Sequence, residues 1–232
     1  MTASRLALFD LDHTLLPMDS DYQWADFLAR TGRAGDPEQA RARNDELMHQ
    51  YNEGVLTAQE AAEFMLGLLA AHSPVELARF HDEFMREVVW PAITEQAVNL
   101  VHAHQEAGDL CAIVTATNTF VTAPIARAFG IQHLIATDPQ YVQGRYTGKI
   151  EGIPSFQAGK ITRVNAWLEG LGRQMSDYET VYFYSDSVND LPLMEVVSNP
   201  IATNPSDSLR KIAQERQWTI LDLFHEQADQ KS

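Results

Sequence analysis

The sequence lacks most features that would take it out of the class of ordinary globular domains. It has one cysteine, Cys111, so no intramolecular disulfide can form, and that thiol sits in the apolar run Leu110 to Val114, where a buried, inert side chain is expected. No stretch approaches the ~18 consecutive apolar residues that a membrane-spanning helix needs. Met1 to Leu8 carries one arginine and no long apolar segment, which argues against a signal peptide. Basic residues are scarce: 17 Lys and Arg stand against 32 Asp and Glu, a net charge of −15, and the densest basic grouping is Arg41-Ala42-Arg43. A surface this negative repels phosphate backbones and anionic headgroups, so neither nucleic acid nor membrane is expected as a partner. There is no internal repeat, and the polar stretch Gln227 to Ser232 is expected to fray. A cytoplasmic protein, monomeric or homodimeric, is the expectation. What remains is a chain of 232 residues, 45% of them hydrophobic, enough for one good-sized domain or one domain carrying a smaller insertion.

Short β-rich runs alternate with longer stretches of helical period, the mark of a parallel α/β sheet. The strongest runs are Leu6-Ala7-Leu8-Phe9, Ala112-Ile113-Val114-Thr115 and Val181-Tyr182-Phe183-Tyr184; weaker ones are Leu134 to Thr137, Pro200 to Thr203 and Thr219 to Leu221. Nearly continuous apolar runs suit strands covered on both faces. Between the first two strong runs, Pro17 to Trp90 shows helical patterns and no convincing strand. Thr57-Ala58-Gln59-Glu60 and Ser73-Pro74-Val75-Glu76 fit the capping box. The expected architecture is a doubly wound, parallel, Rossmann-like sheet (residues 1–16 and 91–232) with an all-helical cap inserted at residues 17–90. Gly144 to Ile150 is expected to form a turn and a short antiparallel pair beside the sheet. In such sheets ligands sit outside the carboxyl ends of the strands.

Polar residues fall at those ends. Asp10-Leu11-Asp12-His13-Thr14 follows the first strand; one carboxylate can act as a nucleophile while the other serves as acid and base. A solvated loop with Asp12 or Thr14 capping the next turn is the competing account. Thr115-Ala116-Thr117-Asn118 follows the second strong strand and opens a helix, where hydroxyls and backbone N–H groups can hold phosphate oxygens, although an N-cap alone would explain it. Lys160 opens a later helix, an odd place for a cation opposite the helix dipole but a sensible one for neutralising phosphate. Ser185-Asp186-Ser187-Val188-Asn189-Asp190 follows the third strong strand with side chains of the kind that hold a hard cation.

In this order the four elements resemble the haloacid dehalogenase superfamily of aspartyl-phosphate phosphohydrolases, and the helical insertion, with Glu53-Gly54-Val55-Leu56-Thr57 inside it, is most similar to the phosphoserine-phosphatase-like branch. The resemblance implies a phosphomonoester hydrolase for a small phosphorylated metabolite. It implies Asp10 as nucleophile, Asp12 as acid and base, and Thr115 and Lys160 as holders of the phosphoryl oxygens. Mg²⁺ would be held by Asp10, Asp186 and the backbone carbonyl of Asp12. Asn189 and Asn118 become candidate substrate contacts, and Asp190 a partner that fixes either Lys160 or a metal-bound water. The branch usually has Gly-Asp-Gly where this chain has Ser185-Asp186-Ser187, which leaves the loop geometry open.

Asp19 and Asp21 lie where that branch carries a carboxylate for the substrate ammonium, and Asp19 is the preferred one. The branch also uses a cap arginine for the serine carboxylate; this chain has Gln59-Glu60-Ala61-Ala62-Glu63 there, with Arg41 or Arg43 as remote substitutes. An amino-alcohol phosphate such as histidinol phosphate therefore fits at least as well as phosphoserine. The alternatives are an aspartate-phosphorylated signalling module and a catalytically silent, ligand-binding relative. His102 and His104, two apart on a helix, are no metal pair and are expected at the surface, while Trp24, Phe27, Phe64 and Phe84 are expected in the core.

Overall fold

A computed structural model describes residues 5–53 and 55–224. Gly54 of the Glu53-Gly54 stretch and the segment from Gln227 to Ser232 lie outside the described residues. The sheet has seven strands: β1 (Arg5–Phe9), β2 (Leu110–Asn118), β3 (His133–Val142), β4 (Arg145–Glu151), β5 (Thr180–Ser185), β6 (Asn199–Thr203) and β7 (Thr219–Leu221). Their order is β4-β3-β2-β1-β5-β6-β7, and every pairing is parallel except β3 with β4. The three runs strongest in the sequence are the three central strands. Leu6, Leu8, Ala112, Val114 and Phe183 pack into one hydrophobic layer, and Ala7, Phe9 and Ile113 into the other. Central strands are apolar throughout because both faces are covered. The outer strands β3, β6 and β7 carry weaker patterns because less of them is buried.

Between β1 and the helix α6 the chain is helical: α1 (Ser20–Arg30), α2 (Pro37–Asn52), α3 (Ala58–Ala70) and α4 (Pro74–Phe84), the last running through a π turn at Met85–Val89 into the short α5 (Trp90–Ala92). Both capping boxes form, at Thr57 with Glu60 and Ser73 with Glu76. The aromatic centre of this segment, Trp24, Phe27 and Phe84, belongs to the same hydrophobic cluster as Phe9 of the sheet. Phe64 is only half-buried, with the Arg43 guanidinium 5.3 Å above its ring.

The sheet is flanked further by α6 (Glu95–Glu106), α7 (Thr119–Ala128), α8 (Ala158–Gly170), α9 (Leu191–Met194) and α10 (Asp207–Glu215). No helix among the described residues is long and apolar enough to cross a membrane. The expected antiparallel pair is the β3–β4 hairpin, closed by Gln143 (φ 49°) and Gly144 (φ 80°), two left-handed residues as a two-residue hairpin turn requires. Its second strand lies against α3 so closely that a Cβ on Gly148 would stand 3.4 Å from the Gly67 backbone.

Besides Phe64, the expectation for one histidine fails. His102 is exposed, but His104 is not a surface residue: its Nδ1 lies 2.7 Å from Asp109 Oδ2, its Nε2 2.7 Å from the Tyr184 hydroxyl, and its ring packs on Phe9. The same spacing that separates the two histidines turns residue 104 toward the sheet.

Candidate active site

The carboxyl ends of β1, β2 and β5 and the first turn of α8 surround a cavity of about 610 Å³. Asp10, Asp12, Asp19, Thr115, Lys160, Asp186, Asn189 and Asp190 all line it, together with His13, Thr117 and Phe156. At its floor the ammonium of Lys160, 3% exposed, donates to Asp10 Oδ1 (2.8 Å) and to Asp190 Oδ2 (2.7 Å). Ser185 donates to the same Asp190 oxygen (2.7 Å), and Ser187 caps the 3₁₀ turn Val188–Asp190 by accepting from the Asn189 N–H. The two serines that replace glycines thus brace the loop. The Thr14 hydroxyl lies 3.4 Å from Asp10 Oδ2 and 3.3 Å from Asp186 Oδ1, bridging the carboxylates of two separate strands.

Lys160 reaches the floor because of how α8 begins. Ser155 is fixed to β3 by its N–H to Thr137 Oγ1 (3.1 Å), and Gln157 turns the chain with φ 49°. Gly159 then lies so close to Pro154 that a Cβ would be 2.2 Å from its carbonyl oxygen. Only glycine allows that approach.

Asp12 accepts from the Ser20 N–H (2.8 Å) and from the Thr117 hydroxyl (2.7 Å). The sequence contained a signal for Thr117 beyond an N-cap: it stands two residues from Thr115, on the same side of a strand. Thr115 lines the cavity and its oxygen accepts from the Thr117 N–H (3.2 Å). Asn189 faces Gln157 Nε2 at 3.5 Å. Asp19 both lines the cavity and caps α1, accepting from the Tyr22 N–H (2.7 Å). Asn118 does not line the cavity: it caps α7 through Val121 N–H (3.1 Å) and its amide donates to Asp21 (2.9 Å).

The profile of the haloacid dehalogenase-like hydrolases matches residues 7–195, which include every one of these groups. The chain belongs to that family. A Neisseria meningitidis serogroup C (strain 8013) protein named histidinol-phosphatase is 43% identical over 219 residues, 94% of this chain and 98% of that protein. A crystal structure of a protein of unknown function from Bordetella pertussis Tohama I superposes with a TM-score of 0.95 at 71% identity, over 96% of this chain and 100% of that one. A substrate-bound phosphoserine phosphatase shares the fold, with a TM-score of 0.69 at 18% identity over 95% of this chain and 94% of that one. The chain is a phosphatase of this family, which sets the signalling-module alternative aside.

The electrostatics of this haloacid dehalogenase-like site are those of crowded, buried acids. Burial raises Asp12 to about 6, with Asp19 adding to the effect and the Ser20 and Thr117 hydrogen bonds opposing it. Asp186 is also raised to about 6, by burial first and then Asp190, with His13 pulling down. Burial pushes Asp10 up against the pull of Lys160. Burial works against the charge on Lys160, but Asp10 and Asp190 outweigh it and hold the ammonium protonated. Among the described residues no three His, Cys, Asp or Glu side chains converge as a metal cage. The donors here are two carboxylates, Asp10 and Asp186, sharing the Thr14 hydroxyl. Such hard oxygen donors, incomplete without water and phosphate oxygens, suit Mg²⁺.

A second cavity of about 230 Å³ adjoins the first, sharing Asp19, Met48, Ala116, Thr117 and Phe156 with it. Helix α3 forms one wall with Ala58, Ala61, Ala62 and Met65, and Ile150 and Pro154 stand opposite. Its two carboxylates are Asp19 and Asp21, and no Lys, Arg or His is among its lining residues. Burial raises Asp21 well above the usual carboxylate range, and Asp19 and Asp12 add to it. Arg41 is paired with Asp26 (2.9 Å), and Arg43 lies over Phe64; neither lines this cavity.

Proposed function

We propose that this phosphatase hydrolyses a phosphomonoester of an amine-bearing alcohol through a phospho-aspartate on Asp10, with Mg²⁺, and that histidinol phosphate suits it better than phosphoserine. An Asp10 carboxylate oxygen attacks phosphorus, and the bond from phosphorus to the ester oxygen breaks. Asp12 gives its proton to the departing alkoxide, then takes one from the water that attacks the phospho-aspartate, which returns Asp10 and releases phosphate. Thr115 and Lys160 hold the phosphoryl oxygens as charge shifts among them, while Asp190 and Ser185 keep Lys160 in place. Asp10, Asp186 and the Asp12 carbonyl would hold Mg²⁺, which would supply the positive charge that lets a carboxylate approach a phosphate dianion. Residues 17–90 act as a lid over a core of residues 1–16 and 91–232, its α3 walling the leaving-group cavity and keeping water out.

The observation that carries the substrate class is the adjoining cavity, which offers two desolvated carboxylates and no cation. An anion buried beside another anion favours a ligand that brings its own positive charge. A leaving group with an ammonium satisfies this; the extra carboxylate of phosphoserine would find no partner there. The Neisseria relative's name points the same way. Asp21, held by Asn118 and facing this cavity, joins Asp19 as a contact for the leaving group.

The test is a comparison of kcat/KM on histidinol phosphate, phosphoserine and a panel of sugar and nucleotide phosphates with Mg²⁺. Histidinol phosphate is expected to lead, with turnover lost in Asp10→Asn and on chelation. A preference for phosphoserine of about tenfold, or 1.4 kcal/mol in transition-state binding, would overturn the substrate assignment. No turnover of any phosphomonoester would overturn the mechanism.

A further inference from the structure

Asn204 lines neither cavity, yet its side chain ties the nucleophile loop to the far end of the sheet. It follows β6 and adopts a left-handed conformation, φ 45°, which asparagine tolerates better than most residues. Its Nδ2 donates to the carbonyls of His13 (3.1 Å) and Thr14 (3.2 Å), 191 and 190 residues away in sequence. Its Oδ1 accepts from the N–H groups of Leu223 (2.6 Å) and Phe224 (3.3 Å), and its own N–H donates to Leu221 (2.7 Å). The amide therefore uses both of its donor hydrogens and its acceptor oxygen twice, the whole capacity of the group. Two residues on, the Ser206 N–H donates to the Asp186 carbonyl (2.9 Å). One short segment, 204–206, is thus bonded to both loops whose carboxylates share the Thr14 hydroxyl.

We infer that Asn204 is a positioning residue for phosphoryl transfer: through the Thr14 main chain it sets where the Thr14 hydroxyl stands between Asp10 and Asp186. The loop needs such a hold because His13, just before Thr14, has φ 56°, a conformation costly for a residue with a side chain. Without the two amide donors its carbonyls can turn outward, and Thr14 loses its register with the two acids. The inference rests on the phosphatase activity and on the roles proposed above for Asp10 and Asp186, not on the identity of the natural substrate.

Asn204→Asp separates the two halves of the clamp, since aspartate accepts from Leu223 and Phe224 and tolerates the left-handed backbone but has no N–H for His13 and Thr14. Asn204→Gly keeps only the backbone and adds no charge. With a generic aryl phosphate and saturating Mg²⁺, both variants of the full chain are expected to lose about tenfold or more in kcat, with KM changed less than about twofold. The melting temperature of Asn204→Asp should stay within about 4 °C of wild type. The decisive readout is a cycle with Thr14→Ala. If Asn204 acts through Thr14, adding either Asn204 substitution to Thr14→Ala costs no further kcat, whereas a merely structural contribution multiplies. Wild-type kcat in Asn204→Gly, or multiplicative losses in the cycle, would overturn the inference. If wild-type turnover is itself absent, it is the proposed reaction that fails, and the two failures are told apart by the first measurement.

Discussion

Asp12 is the residue whose surroundings say most about the chemistry. It is buried, raised to about 6, and held between the Ser20 N–H and the Thr117 hydroxyl, so a proton can reside on it near neutral pH without the carboxyl group swinging away. Asp12→Asn is expected to cost about 10²–10⁴ in kcat on alkyl phosphates, whose alkoxide must be protonated as it leaves. The loss should be much smaller in the first, phosphoryl-transfer step with an aryl phosphate of low leaving-group pKa, which a burst experiment would resolve; equal losses in that step for both classes would count against Asp12 as the acid. The residues proposed to act on phosphate were legible because each stands at a strand end or a helix start, where one short motif reveals it. The pairings of Thr117 and Asn204 were not legible in the same way. Their partners lie across the fold, as with Thr117 and Asp12, 105 residues apart, and spacing along a chain carries no information about such pairs. His104 was misplaced for the same reason, since Asp109 is near in sequence but Tyr184 is 80 residues away.

At the scale of elements, the central strands and the capped helices could be read because periodicity and capping are local. Where α8 begins could be read only roughly. Lys160 was visible as an odd cation at a helix start, but not the contact that puts it there, the approach of Gly159 to the Pro154 carbonyl. Gly159→Ala must push that turn aside, at a cost of about 1–3 kcal/mol for overpacking. Because Lys160 is the next residue, kcat should fall more than stability does. A thermal melt and a steady-state assay on the same sample would check this, and unchanged kcat would show that the turn relaxes without moving the lysine. The β3–β4 hairpin was legible from Gly144, whereas its packing against α3 was not, because Gly148 and Gly67 meet only in the folded chain.

For the whole molecule, the excess of acids matters where it is concentrated rather than where it is spread. Asp12 and Asp186 rise from 3.8 to about 6, and Asp10, Asp19 and Asp21 are raised as well. A carboxyl raised in the folded state holds its proton longer than in the unfolded chain, so the stability it contributes is complete below its unfolded value and is lost as pH rises through the folded one. The chelated protein is therefore expected to melt at a lower temperature at pH 7 than at pH 5, and Mg²⁺ to restore part of the loss at pH 7 by mass action. A melting temperature that rises from pH 5 to pH 7 without metal would contradict this. The capping carboxylates Glu60 and Glu76, which are lowered, act below that window; the buried His81, lowered by desolvation, opposes the trend inside it, one group against five.

The contact between α3 and β4 has one more consequence. Strand β4 is one of the two edges of the sheet, and Tyr146 and Ile150 on it are half-buried beside the inserted helices. An uncovered outer strand with apolar side chains is a template on which other chains can pair. The helix that walls the second cavity thus also covers the apolar face of this edge strand, so excision of the insertion is expected to yield an aggregating fragment rather than a smaller, less selective catalyst.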